Sequence, residues 1–157
     1  MKKPSLYLLI GLLVTQLLVP GYLIYRHYDT LMTGEEYKFI VQPYDPYDPF
    51  RGRYVALRPI ERTYSTYAVL GHDNRGYAAI IAAGDSQPHS GTYVKNLRLD
   101  RYYMNEKMAP IAERIQLSLS NSDLMYLLVK VKNGHYVIEG LYLNDTSIEQ
   151  YISSNSP

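Results

Sequence analysis

The chain begins with a long uncharged stretch, and its later apolar residues recur over much shorter runs. Residues Pro4 to Tyr25 cover 22 positions without a charge, and Leu, Ile and Val dominate them. As a helix this run would extend about 33 Å, enough to cross the hydrocarbon core of a bilayer. Lys2 and Lys3 precede the run, and Tyr28 follows it at the expected headgroup boundary. The pattern predicts one transmembrane helix, embedded in the lipid bilayer through residues 4–25.

A cleaved secretory signal is the alternative explanation of this segment. The run ends in Tyr-Leu-Ile-Tyr-Arg and offers no small-x-small cleavage site, so we expect the anchor to be retained. Basic residues favour the cytoplasmic side of a membrane. The two amino-terminal lysines outweigh the far flank, where Arg26 and Lys38 are diluted by Asp29, Glu35 and Glu36. We therefore expect a cytoplasmic amino terminus, with the rest of the chain outside the cell membrane.

Beyond residue 36 the apolar positions alternate over short runs bounded by turn residues, which is typical of β-strands. Asn133-Gly134 separates two such runs, and this dipeptide is the strongest short hairpin signal. Eighteen Tyr with two Phe and no Trp also suit strands. The predicted strands cover residues 37–41, 53–60, 63–70, 77–83, 92–99, 124–132 and 135–143.

Two helices are expected after the first strands. Asn105 to Leu117 has helical spacing, with Ile111 and Ile115 on its apolar face and Asn105 as its cap. A Thr-x-x-Glu capping box predicts a short last helix from Thr146. The fold class is therefore α+β and β-dominated. A single N-terminal transmembrane helix precedes an antiparallel β-barrel or sandwich-like domain of about seven strands with one covering helix.

These elements divide the chain into four parts. Residues 1–28 form the membrane anchor with a cytoplasmic N-terminus, and residues 29–36 form a juxtamembrane linker. Residues 37–152 form the extracytoplasmic β-rich domain. The polar residues 153–157 are expected to be a disordered tail.

Composition removes several classes of function. Sixteen Lys and Arg face fifteen Asp and Glu, and this balance argues against nucleic-acid binding, which depends on neutralising phosphates. The absence of Cys excludes a thiolate zinc site, an iron–sulfur cluster and a cysteine nucleophile. The four His show no metal-ligand spacing, so neither a metal nor a cofactor is expected. For Ser/Lys catalysis the sequence offers Ser65 with Lys38 or Lys95.

Two polar clusters are the candidate ligand- or partner-binding site. Three prolines within seven residues stiffen the loop that follows Gln42, and such a loop loses little entropy when a partner docks. A second cluster occupies the junction between a strand and the Asn105 helix. Asp before Pro also caps turns, so a structural role is the alternative. The candidate residues are Asp45, Asp48, Arg51, Gly52, Tyr54, Arg58, Arg101, Tyr103 and Glu106.

The segment Gly-Arg-Tyr-Val-Ala-Leu-Arg-Pro, residues 52–59, resembles the signature of the GDYXXLXY family, small membrane-anchored bacterial proteins. Gly52, Tyr54 and Leu57 match, whereas Arg53 stands at the motif's Asp and Pro59 at its closing Tyr. The block of residues 101–106 and the Lys-Asn-Gly hairpin are also similar to the family. The resemblance implies no established activity. It does imply a partner, because family members are often encoded beside a multi-spanning membrane protein.

Two functions from different classes follow. The first is an accessory or binding domain that partners an integral membrane protein. The second is a membrane-anchored envelope hydrolase acting on peptide or glycan. Convergence of polar groups in a concave pocket is the feature that separates an enzyme or binding site from a plain spacer.

Overall fold

The computed structural model of the chain describes residues 3–43, 54–105, 107–120 and 123–155. Its architecture is β-dominated α+β, as the sequence pattern predicts. The helices are α1 (Lys3–Thr33), α2 (Ala109–Ser118) and α3 (Ile148–Asn155). The strands are β1 (Glu35–Pro43), β2 (Tyr54–Pro59), β3 (Tyr67–His72), β4 (Ala78–Gly84), β5 (Tyr93–Lys95), β6 (Arg101–Tyr103), β7 (Met125–Lys132), β8 (His135–Leu143) and β9 (Thr146–Ser147).

α1 is one continuous helix whose apolar residues lie outside the core. Residues 6–28 are exposed, and α1 is long and apolar enough to cross a membrane. The helix does not stop at the predicted boundary of residue 28 but continues through most of the predicted linker. It ends where the Gly34 N–H donates a 2.9 Å hydrogen bond to the Thr30 carbonyl. β1 begins at the next residue, so the connection between helix and sheet is very short.

The described strands form two antiparallel sheets. A curled six-stranded sheet has the order β6-β2-β1-β7-β8-β9, and a small sheet has the order β4-β3-β5. β1 uses two partners in turn, because residues 35–40 pair with β7 and residues 41–43 pair with β2. The two sheets meet where the Lys95 N–H donates a 3.0 Å hydrogen bond to the Gly134 carbonyl.

The Asn133-Gly134 hairpin is confirmed. Both turn residues have positive φ, 49° and 76°, as a two-residue turn of this kind requires. The register runs from Lys132↔His135 to Met125↔Leu143. β7 pairs with β1 on its other side, so this hairpin occupies the middle of the large sheet.

Two short strands were not predicted. β6 has three residues and pairs with β2, while β9 has two residues and pairs with β8. A second two-residue turn precedes β9, with Asn144 and Asp145 at φ 48° and 65°. Because β9 occupies the predicted helix start, α3 begins at Ile148, and the Ser147 Oγ accepts the Gln150 N–H at 3.3 Å.

The carboxyl-terminal helix corrects the expected tail. α3 extends to Asn155, so residues 153–155 are helical rather than disordered. Ile148 and Ile152 are buried one turn apart, and this pair holds α3 against the large sheet. The predicted boundary at residue 152 therefore falls inside a packed helix.

The helix predicted from Asn105 is shorter and rotated. A turn precedes it, in which the Asn105 Oδ1 accepts the Lys107 N–H at 3.0 Å, and α2 starts at Ala109. Ala109 and Ala112 face the core and Ile115 packs against it as predicted, whereas Ile111 lies on the exposed side. Small residues on the buried face allow α2 to approach the sheet closely.

The core lies between the concave face of the large sheet, the small sheet and helices α2 and α3. Phe39, Val55, Leu127 and Leu141 are fully buried members from four strands of the large sheet. Val94 is buried from the small sheet. Alternation places the residues at odd positions of β1 on this side, and the even positions face away from the core.

Candidate functional site

The pairing of β2 with β6 brings together the described parts of the two predicted clusters. Tyr54 pairs with Tyr103, and Ala56 pairs with Arg101. The predicted site residues outside the described part of the chain are Asp45, Asp48, Arg51, Gly52 and Glu106. Their roles stay predictions.

The described members share one face of this ladder. Successive strand residues alternate sides, so Arg58 of β2 lies on the same side as Arg101 and Tyr103 of β6. Arg58, Arg101 and Tyr103 are exposed, and Tyr103 is 66% exposed. The Arg101 Nε lies 3.4 Å from the Asp100 Oδ2, a solvent-exposed ion pair. The ladder therefore has two arginine side chains and an aromatic ring at its surface.

A hydrogen bond behind this face fixes β6. The Tyr102 hydroxyl points to the opposite side and donates to the Glu149 Oε1 of α3 at 2.7 Å. Burial, followed by this hydrogen bond, raises the pKa of Tyr102 above its usual range. Tyr102 therefore stays neutral and ties the short strand to α3, which keeps Arg101 and Tyr103 in place.

A cleft lies at the other end of β2. Pro59 is five residues from Tyr54, about 16 Å along an extended strand. The loop before β3 and the loop after β5 form its walls, and its volume is about 280 Å³. The lining residues are Pro59, Glu61, Arg62, Thr63, Tyr64, Ser65, Asn96, Leu97, Arg98, Leu99 and Asp100.

Sequence reasoning missed this cleft. The sequence pattern predicts a strand over residues 63–70, whereas β3 begins at Tyr67 and residues 63–66 belong to the loop before it. Ser65 lies in the loop and lines the cleft, but no hydrogen bond joins it to a lysine within the described chain. The Nζ atoms of the two candidate lysines lie over aromatic rings instead. That of Lys38 is 5.2 Å from the centre of the Tyr126 ring, and that of Lys95 is 5.8 Å from the centre of the Tyr67 ring. The geometry therefore gives no support to a Ser/Lys pair.

The histidines are dispersed. His72 stacks on Tyr37 with ring centres 4.7 Å apart, and His27 meets His135 at 6.4 Å. Burial, followed by the positive charges of Arg26 and His27, lowers the pKa of His135. Among the described residues, no group of three His, Cys, Asp or Glu could hold a metal ion.

The chain matches a protein-family model. A family model described as "GDYXXLXY protein" matches residues 16–141, about four-fifths of the chain. The matched range includes the second half of α1, the β2–β6 ladder, the cleft beyond Pro59 and most of the β7–β8 hairpin. Comparison with curated proteins and with solved structures gives no match.

Proposed function

Since the chain belongs to the GDYXXLXY protein family, we propose that it is a single-pass membrane protein with a cytoplasmic amino terminus and an accessory domain outside the cell membrane. The accessory domain is the β-rich part of the chain, and its partner is a multi-spanning membrane protein. The β2–β6 face, defined by Arg58, Arg101 and Tyr103, is the surface that binds this partner.

The junction between α1 and the sheet is the observation that carries the proposal. The apolar part of α1 buries nothing against the domain, which is the state of a helix that packs against lipid or another membrane helix. Its last turns are fastened to the sheet, because the Lys132 Nζ lies 2.8 Å from the Asp29 Oδ2 and 2.7 Å from the Thr33 Oγ1. The domain is thus held close to the membrane surface, within reach of the loops of a membrane-embedded partner.

The chemistry of the β2–β6 face fits such a partner. Arg58 and Arg101 present forked donors that suit carboxylates or backbone carbonyls of a loop. Tyr103 adds a flat, amphipathic ring of the kind enriched in protein interfaces. Surfaces of this composition are common where a small number of anchoring side chains dominate binding.

A pair of reporter fusions at Asn155 tests the topology. An enzyme that is active only outside the cytoplasm should be active when fused there, and a protein that fluoresces only in the cytoplasm should be dark. The reverse pattern would refute the orientation. Protein sequencing should not find an amino terminus near Tyr25, which is where removal of the anchor would leave one.

Co-purification of the full-length chain in mild detergent tests the association. Arg58→Ala and Arg101→Ala should each reduce recovery of the membrane partner, by about 1–3 kcal/mol of binding free energy for a charge-assisted contact. Arg75→Ala is the matched control, since Arg75 is exposed in the β3–β4 turn on another part of the domain. If recovery of the membrane partner falls only as much as the melting temperature does, both arginines stabilise the fold and do not bind the partner.

A further inference from the structure

The cleft between residues 59–65 and 96–100, called the arginine cleft below, shares no lining residue with the β2–β6 face but adjoins it through the ion pair between Asp100 and Arg101. It lies at the far end of β2, and its two walls come from loops that are distant in the sequence. At about 280 Å³ it is at the small end of ligand pockets, large enough for one or two amino-acid residues.

Its two carboxylates are already engaged. The Glu61 Oε2 accepts the backbone N–H of Ile80 at 3.2 Å, and the Asp100 Oδ2 pairs with the Arg101 Nε at 3.4 Å. The guanidinium groups of Arg62 and Arg98 are exposed, and neither makes a hydrogen bond or ion pair within the described chain. The cleft therefore offers two positive groups whose donors are available to an anion.

The walls of the arginine cleft are held in shape by contacts outside it. The Tyr136 hydroxyl lies 3.1 Å from both the backbone N and the backbone O of Arg98. The Asn96 N–H donates to the Thr66 carbonyl at 2.8 Å, which joins one wall to the other. A preorganised wall loses less entropy on binding, so two exposed arginines can act as a recognition site.

A peptide fits this lining better than a lipid phosphate does. Glu61 and Asp100 oppose any anion, but a carboxylate brings a single negative charge whereas a phosphate brings up to two. Their remaining lone pairs can also accept the N–H groups of a peptide. Tyr64 is 99% exposed at the rim, where its ring can cover an extended backbone. Leu97 and Pro59 add apolar surface to the walls.

We propose that the arginine cleft binds a short extended peptide segment whose Asp or Glu carboxylate is held by Arg62 and Arg98. This inference rests on the proposed function for the source of the segment, which is an extracytoplasmic loop of the membrane partner. Guanidinium groups bind carboxylates in a forked geometry, so two of them select an acidic side chain over its amide.

Direct binding of two synthetic peptides to the full-length chain in detergent micelles tests the inference. The probe is acetyl-Gly-Glu-Tyr-Glu-Gly-amide with a fluorescent label, and its counterpart carries Gln in place of both Glu. The Glu peptide should bind at least about tenfold more tightly, since each lost charge-assisted contact is worth about one decade. Arg62→Gln and Arg98→Gln should each weaken its binding about tenfold. Arg114→Gln, an exposed arginine of α2 outside the cleft, should leave binding unchanged.

Equal binding of the two peptides, or unchanged binding in Arg62→Gln and Arg98→Gln, would overturn the inference. Glycerol 3-phosphate serves as the probe for a lipid headgroup. If it binds in an Arg98-dependent manner while the Glu peptide does not bind, the peptide inference is wrong and the cleft binds a lipid phosphate. Melting temperatures of the variants should match the parent, because both side chains are exposed. If the membrane partner is recovered but the peptide does not bind, the proposed function stands and this inference alone fails.

Discussion

Gly34 is the one residue that connects α1 to β1, and its lack of a side chain allows the helix to lie close to the sheet. A Cβ built at this position would lie 2.4 Å from the Thr30 carbonyl oxygen and 3.0 Å from the Val131 nitrogen. Both atoms belong to the backbone, so neither can move aside as a flexible side chain would. The close approach of helix and sheet therefore requires glycine at this position.

Gly34→Ala should destabilise the domain by about 2 kcal/mol, the usual cost of overpacking a tight site. The measurement is thermal unfolding of the full-length chain in detergent, followed by circular dichroism. Gly84→Ala is the matched control, because a Cβ there meets no atom within 4 Å. If the two variants melt at the same temperature, the helix does not approach the sheet as closely as the structure shows.

Some candidate residues can be identified from the sequence and others cannot. Arg58, Arg101 and Tyr103 could be selected because each lies in a short block rich in turn residues and charge. Arg62 and Arg98 could not, since 36 residues separate them and each looks like an ordinary surface arginine. They line one cleft only because the β2–β6 pairing and the Tyr136 contacts bring their loops together.

At the scale of elements, the helices and strands that were predicted correctly are those determined by nearby residues in the sequence. α1 follows from uninterrupted hydrophobicity, and the β7–β8 hairpin follows from a dipeptide that tolerates positive φ. The short strands β6 and β9 have too few residues to show alternation, and long-range pairing is what defines them. Long-range pairing also explains why α3 begins later than predicted, because the predicted cap, Thr146, belongs to β9.

Asp123 connects the end of the α2 segment to the turn before β9. Its Oδ1 accepts the Asn144 side-chain N–H at 2.9 Å, and its Oδ2 accepts the Ser120 N–H at 2.9 Å. The hydrogen bonds from Asn144, followed by those from Ser120, lower the pKa of the Asp123 carboxyl below its ordinary value. A group with a lowered folded-state pKa stabilises the protein above the unfolded-state pKa, and the contribution is lost as the pH falls through the folded-state value.

Asp123→Asn should therefore lower the melting temperature at pH 7, and the difference from the parent should shrink as the pH falls below about 4. Thermal melts at a series of pH values between neutral and strongly acidic provide the measurement. Glu139→Gln serves as the control, since its exposed contact with Lys130 is long, at 3.7 Å. A difference that stays constant across the acid range would show that the carboxylate charge of Asp123 contributes nothing.

At the scale of the whole molecule, the main departure from the sequence-based expectation is the connection between membrane helix and domain. Residues 29–36 were expected to be a linker, which would let the domain move freely above the membrane. Instead the helix reaches Thr33, and Lys132 of the hairpin binds both Asp29 and Thr33. The pairing could not be anticipated, because 103 positions separate Asp29 from Lys132 in the sequence. A domain fastened in this way presents the β2–β6 face and the arginine cleft in one orientation relative to α1.

Crosslinking between helix and hairpin measures this attachment directly. The chain has no cysteine, so His27→Cys with His135→Cys creates a unique pair at positions whose rings now lie 6.4 Å apart. A short bis-maleimide should join this pair rapidly in membranes, whereas Tyr22→Cys with His135→Cys should react slowly. Position 22 lies about 7.5 Å farther along the helix axis and on another side of it.

Lys132→Ala should slow the crosslinking of the 27/135 pair several-fold, because it removes the contacts to Asp29 and Thr33 that hold the helix against the hairpin. A partly exposed ion pair contributes little to global stability, so the melting temperature should change far less than the crosslinking rate. Lys107→Ala, an exposed lysine remote from α1, controls for the loss of a positive charge. Equal crosslinking rates in the parent, Lys132→Ala and Lys107→Ala would mean that Gly34 and backbone packing alone hold the junction. Fast reaction of the Tyr22 pair as well would mean that the segment behaves as the flexible linker the sequence suggested, and that the two binding surfaces have no fixed orientation relative to the membrane.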